Sequence, residues 1–297
     1  AAQPGDGMLA VIDLLSGELL DETAAGEIED ILIDPSNGEI VVVGRDFGGT
    51  KTLRRFRFSN RNEGTDLAPE WRIDRRYTTR RNIPRSSTTF LLSGRNVFAN
   101  GENGRLLRWL PFEIEPVTMA EHIVKPAGDF IIDDQTLHVL SDDRIVSITS
   151  DLFRSDKTPP VEETRYVSFD SLPVDIDPGS RFVQNGEGAV LLWNPGADEN
   201  PFSRYDTRRI SVFPTELDAP DALVSVDSLS EQVLTLTRSG LLEIHNQRTG
   251  ETEFSYRGRG FQSAILTRRG VFVGRAAQGV LDSSVLRLNT QTRETVP

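Results

Sequence analysis

Cysteine is absent from the 297 residues. Disulfides, thiolate nucleophiles and thiolate metal sites are therefore excluded. Histidine occurs only as His122, His138 and His245. No two of them stand at metal-ligand spacing, so each reads as a packing residue. Lysine is confined to Lys51, Lys125 and Lys157, and nearly every cation is arginine. No apolar run approaches the roughly 20 residues that span a bilayer, so no transmembrane segment is expected. No stretch sustains the helical period of 3.6. Nucleophile elbows, phosphate loops and dinucleotide-binding glycine fingerprints are missing as well. No catalytic residue, cofactor site or metal site is expected, and the balance leans away from an enzyme.

What is present suffices for a folded core. The hydrophobic fraction is 37% and the charged fraction 26%, both within the globular range. The net charge is −12, which disfavours nucleic acid as a partner. The opening residues AAQPGDG fit the end left by a signal peptidase, and equally an arbitrary boundary. A periplasmic or secreted location is slightly favoured over the cytoplasm.

One turn recurs. Asp13, Ser16, Gly17 and Glu18 share their spacing with Asn246, Thr249, Gly250 and Glu251, and with Asn289, Thr292, Arg293 and Glu294. An Asp or Asn side chain can accept backbone N–H groups and so start such a turn. Gly supplies the positive φ at its close. The preceding strand recurs too, with a glycine five residues ahead of a large side chain. Gly7 leads to Ile12, Gly104 to Trp109, Gly188 to Trp193 and Gly240 to His245. Asp143 to Ile148 and Ser283 to Leu288 repeat the spacing without glycine, and a weaker copy begins at Lys51. Seven copies at spacings of 39 to 53 residues, with several short strands in each, predict the blades of a β-propeller.

These residues resemble the WD40-like, YVTN and quinoprotein-like propeller families. Gly188 to Asn194, GAVLLWN, resembles the third strand of a WD40 blade, and DPSNGEIVVV resembles a first hairpin. The Gly-His pair of true WD40 blades is missing. The expected fold is thus all-β: a β-propeller of four-stranded antiparallel blades, seven in number, with six or eight as alternatives. Residues 1–297 are expected to form a single domain whose N-terminal blade lacks its inner hairpin. Trp109 and Trp193 share a repeat position and are expected in the core, whereas Trp71 falls outside the pattern. The acidic groups Asp133–Asp134, Asp142–Asp143 and Asp175 with Asp177 match no dense calcium loop and read as turn caps.

Charge is the anomaly. Residues 51–85 hold Lys51, Arg54, Arg55, Arg57, Arg61, Arg72, Arg75, Arg76, Arg80, Arg81 and Arg85. Eleven cations against four acids gives +7, which leaves −19 for the other 262 residues. Planar guanidinium forks grip carboxylate or phosphate through paired hydrogen bonds. The bland alternative is that these arginines pair with acids of neighbouring blades or cover apolar rims with their stems. The candidate partner-binding residues are Arg54, Arg55, Arg57, Arg72, Arg75, Arg76, Arg80, Arg81, Arg85 and Trp71. The expected function is a protein–protein interaction scaffold or assembly component that takes an acidic segment of a protein partner. The rival is an extracytoplasmic propeller that binds or hydrolyses sugars or phosphate esters through Asp and Glu on one flat face.

Overall fold

The computed structural model describes residues 2–3, 7–13, 16, 18–34, 38–46, 48–62, 71–111, 113–121, 129–141, 143–151, 161–172, 176, 179–184, 190–197, 201–217, 223–276, 284–290 and 295–296. Apart from two 3-10 turns, every element among them is a β-strand. The chain divides into two compact units, Ala1–Pro126 with Ser150–Val161, and Ala127–Thr149 with Glu162–Pro297.

The first unit opens with a three-stranded sheet of β1 (Ala2–Gln3), β2 (Met8–Ile12) and β3 (Leu19–Ala24). Blade 1 follows as β4 (Glu27–Asp34), β5 (Glu39–Arg45), β6 (Lys51–Asn60) and β7 (Trp71–Asn82). Blade 2 is β8 (Phe90–Ser93), β9 (Asn96–Asn100), β10 (Leu106–Trp109) and β11 (Val117–Ala120). The second unit carries blade 3, with β12 (Phe130–Asp133), β13 (Thr136–Leu140), β14 (Arg144–Ser150) and β15 (Val161–Ser168). Blade 4 has β16 (Arg181–Gln184), β17 (Val190–Trp193), β18 (Phe202–Asp206) and β19 (Ser211–Pro214). Blade 5 has β20 (Leu223–Leu229), β21 (Gln232–Thr237), β22 (Leu241–Asn246) and β23 (Thr252–Arg257). Blade 6 has β24 (Phe261–Thr267), β25 (Gly270–Arg275), β26 (Ser284–Leu288) and β27 (Thr295–Val296).

Among the described residues, complete four-stranded blades therefore number six, the lower alternative, rather than seven. The seventh copy of the repeat is the three-stranded N-terminal sheet. In it β2 pairs with β3 on one side and with the two-residue β1 on the other.

Burial explains why the inner strands read as unbroken apolar runs. Side chains alternate across a strand, so a strand covered on both faces needs apolar residues at every position. In β5, Ile40 and Val42 pack with Leu9, Phe56 and Ile73 on one face. Val41 and Val43 pack with Leu53, Val97 and Trp109 on the other. Strand β21 does the same, sending Val233 toward Leu191 and Phe202 while Leu234 and Leu236 meet Leu242, Phe254 and Val273.

The recurring turn is built as its residues imply. Asn246 Oδ1 accepts Arg248 N–H at 2.9 Å and Thr249 N–H at 3.2 Å. Asp13 Oδ1 accepts Ser16 N–H at 2.8 Å. Gly250 has φ +71°, and a Cβ there would sit 2.5 Å from Glu216 O, so only glycine closes that turn without strain.

One copy of the repeat is displaced. Val190–Trp193 is the second strand of its blade, and the third is Phe202–Asp206. The turn after the true third strand is capped by Asp206, whose Oδ1 accepts Arg208 and Arg209 N–H, each at 3.0 Å. It carries Arg209 and Ile210, the latter at φ +53°, where the turns at Asp13 and Asn246 have Ser/Thr and Gly, which hides it from a pattern built on Thr-Gly. Trp109 and Trp193 consequently occupy different blade positions. Trp109 is fully buried, whereas Trp193 is half-buried against the Leu191 and Phe202 cluster.

Candidate functional site

The arginine-rich segment forms the two outer strands of blade 1, with β7 at the sheet edge. Leu53 faces Arg81, Arg54 faces Arg80, Arg57 faces Asp74 and Asn60 faces Trp71. The register slips between Arg55 and Arg57, where β7 carries the extra residues of a bulge that includes Arg75 and Arg76. The side chains of Arg75 and Arg76 lie outside what the structure describes.

Much of the positive charge is answered within the unit. Residues 1–50 hold eleven acids and one cation, and they build the strands beside the ribbon. Arg55 is buried and pairs with Glu39, which also meets Arg95 Nε at 3.3 Å. Arg55 further donates to the carbonyls of Arg95 at 2.7 Å and Trp109 at 3.3 Å. Lys51 is equally buried, with Nζ 2.7 Å from both Glu29 Oε2 and Ser87 O. Burial alone would raise the Glu29 carboxyl, yet Lys51 and Arg45 hold it below its ordinary value. Arg80 pairs with Asp46, and Arg72 donates to Leu20 O. Arg55, Arg72 and Arg80 are thus engaged inside the unit, Arg55 and Arg80 by acids of their own blade and Arg72 by a carbonyl of the N-terminal sheet.

The remainder differs. Arg81 donates to two backbone carbonyls, Glu113 O at 2.8 Å and Arg80 O at 2.9 Å. Arg54, Arg61, Arg81 and Arg85 have no carboxylate partner among the described residues. Arg57, Arg61 and Arg85 are exposed. Trp71 is 44% exposed and stacks on Phe58 with ring centroids 5.3 Å apart. Acidic residues of the segment at 63, 66 and 70 lie outside the described residues.

The histidines fall apart as a set. His122 lies outside the described residues. His245 is buried, with Nε2 3.2 Å from Thr235 Oγ1 and Nδ1 3.2 Å from Thr252 Oγ1. His138 is 1% exposed, and its Nδ1 lies 2.8 Å from both Ser147 Oγ and Tyr205 OH. Its Nε2 has no hydrogen-bond partner. Burial pushes the His138 imidazole down to about 4, against a partial upward pull from Asp133, with Arg165 pressing it further down. Burial also raises the Tyr205 phenol. This inter-blade polar network carried no sequence signal, because Tyr205 stands 67 residues from His138 and neither belongs to a local motif.

Among the acids, Asp133 accepts the Thr207 hydroxyl and Asp143 pairs with Arg144. Asp142, Asp175 and Asp177 lie outside the described residues. Among the described residues, no three His, Asp or Glu side chains are placed to hold a metal ion. Two adjoining cavities in the second unit, of 500 and 370 Å³, share Leu229, Gln232 and Glu253. Glu253 there is held by Gln232 Nε2 at 2.7 Å and Asn246 Nδ2 at 3.2 Å. Among the described residues, no helix is long and apolar enough to cross a membrane.

No family model matches the chain, and no curated protein matches it. Solved structures do. Apo AztD from Citrobacter koseri superposes with a TM-score of 0.62 at 11% identity, covering 98% of this chain and 91% of that one. The WD40 beta propeller domain of Doa1 gives 0.54 at 12% identity, covering 91% and 83%. BamB from Moraxella catarrhalis gives 0.49 at 16% identity, covering 98% and 79%. At such identities the AztD and Doa1 likenesses establish the fold, a β-propeller, and the fold does not name an activity.

Proposed function

We propose that this propeller is a non-enzymatic protein-binding module, a scaffold or one component of an assembly, whose blade 1 ribbon contacts an acidic segment of its partner. The observation that carries this reading is the set of four guanidiniums, Arg54, Arg61, Arg81 and Arg85, without a carboxylate partner among the described residues. Arg57, Arg75 and Arg76 extend the same ribbon. Unmatched guanidinium presents a planar donor fork that a carboxylate can take in two hydrogen bonds. Exposed Trp71 adds the residue type that, with arginine, most often anchors protein interfaces.

The test uses fluorescent poly-glutamate followed by anisotropy at two salt concentrations. Wild type is expected to bind, more weakly as salt rises. The double variant Arg61→Glu, Arg85→Glu is expected to bind at least about tenfold less tightly. Both side chains are exposed and have no carboxylate partner among the described residues, so the variant should melt as wild type does. Unchanged binding in that variant, or no binding by wild type, refutes the reading.

A further inference from the structure

Blades 5 and 6 carry a second concentration of positive charge. Residues 254–281 hold five arginines and no acid. Arg268 and Arg269 belong to the turn between β24 and β25, at one end of the sheet. Arg257, Arg259 and Arg275 belong to the other end, where three segments are stitched together. Gly258 N–H donates to Gly240 O at 3.0 Å, and Ala276 N–H donates to Gly260 O at 2.9 Å. The first bond joins the β23–β24 connection to the turn that carries Arg238, and the second joins it to the end of β25, where Arg275 stands. The approach is close. A Cβ on Gly240 would sit 2.1 Å from Gly258 O, and one on Gly258 would sit 2.0 Å from the Phe261 ring. Both positions require glycine, and the connection is held in place.

Strand alternation decides which of these arginines share a surface. On β25, Val271 and Val273 pack toward blade 5 with Leu242 and Phe254, so Arg275, two residues on, faces that blade too. Its register partner Ser284 lies on the same face of β26 as Leu286 and Leu288. Phe261, the other neighbour of Arg275, packs in that cluster and stacks on Tyr256 with ring centroids 6.1 Å apart. Arg257 follows Tyr256 on β23 and so leaves from the opposite face, away from this cleft. Arg275 and Ser284 therefore stand side by side at the end of the cleft between blades 5 and 6. Arg259 lies in the adjoining connection, and Arg238 lies across the Gly240–Gly258 contact.

Donors at this place lack acceptors. Arg275 Nε and Ser284 Oγ are both shielded from solvent, and neither has a hydrogen-bond partner. The amides of Arg259 and Gly260 donate to nothing among the described residues. Arg238, Arg259 and Arg275 have no carboxylate partner among the described residues. A buried donor left without an acceptor costs free energy, and two of them side by side mark a place for an acceptor from outside the chain.

We infer that this end of the blade 5–6 cleft binds the phosphate group of a small molecule, as inorganic phosphate or as a phosphate monoester. Arg275 and Ser284 hold it from within the cleft, Arg259 holds it from the rim, and Arg238 adds a more distant cation. A carboxylate brings two oxygens to these donors, whereas a phosphate brings three or more and a larger charge. Entry needs the side chains over Arg275 to shift, a rotamer change of the kind common on binding. The site lies in the second unit and needs neither the blade 1 ribbon nor its partner.

Isothermal titration of the whole chain with inorganic phosphate, at fixed ionic strength, tests it. One phosphate per chain is expected. Arg259→Gln and Ser284→Ala should each weaken binding at least about tenfold, the worth of one hydrogen bond to a charged group. Arg275→Lys keeps the charge but removes the Nε–H and the planar fork, and should weaken binding as much. Arg259 is exposed, so Arg259→Gln should melt as wild type does and decides the matter even if Arg275→Lys fails to fold. Arg257→Gln, on the opposite face, and Arg268→Gln, at the opposite end, should bind as wild type does. Glycerol phosphate separates the two sources: tighter binding than inorganic phosphate identifies a monoester as the ligand, and no binding identifies the free ion. Absence of phosphate binding by wild type overturns the inference. So does an equal loss in Arg257→Gln or Arg268→Gln, which would reduce the effect to diffuse charge. Succinate binding as tightly as phosphate overturns phosphate as the ligand.

Discussion

Arg55 and Arg85 carry the same charge, and only their surroundings separate them. Arg55 is 5% exposed and must be neutralised, because a buried guanidinium without partners would forfeit its hydration. Glu39 and two carbonyls meet it. Arg85 stays in water and needs nothing. His138 poses the same problem at a group that can lose its charge. It is neutral in the fold, since burial holds its imidazole at about 4. In the unfolded chain it titrates near its ordinary value of about 6.5. Its neutral form stabilises the fold fully above pH 6.5, and that contribution is lost as pH falls from 6.5 toward 4. The loss amounts to roughly 3 kcal/mol over this window. Denaturant titrations at pH 7 and pH 4.5 should show wild type losing more stability than His138→Gln. Equal losses would mean that His138 is not the group being protonated.

At the level of elements, the blade 1 ribbon is fastened by charge as well as by packing. Glu39 sits on β5 opposite Arg57, and its carboxylate bridges Arg55 and Arg95. Glu39→Gln leaves a buried guanidinium uncompensated and should destabilise the protein by on the order of 3 kcal/mol, read from denaturant midpoints. Glu115→Gln, at an exposed position, should change stability little. Hairpins with a strong local signature, such as Glu27–Asp34 with Glu39–Arg45, were legible from their apolar runs and turn residues. The displaced repeat in blade 4 was not. Val190–Trp193 is as apolar as a third strand because both inner strands of a blade are covered on two faces. Periodicity alone cannot distinguish neighbouring strands that face the same environment.

For the whole molecule, the asymmetry of charge resolves into a local balance. The +7 of residues 51–85 stands in the same unit as an N-terminal stretch of eleven acids and one cation. Blades of one repeat pattern occur in both units, and we propose that residues 1–297 behave as one domain. Differential scanning calorimetry should give a single transition with equal calorimetric and van't Hoff enthalpies. Two resolved transitions would show two domains.

Strand character, the recurring turn and the propeller architecture were set by the order of residues, because all three rest on interactions within about 50 residues: alternation on a strand, an Asx cap, a glycine at positive φ. The sequence by itself also exposed the arginine excess. Only the tertiary structure decided which arginines are fasteners and which face water, since Glu29, Glu39 and Asp46 reach their cations from other strands. It alone joined His138 to Tyr205 and set Ile114 across from Arg81. Neutralisation and burial depend on distance in space, and separation along the chain does not fix that distance.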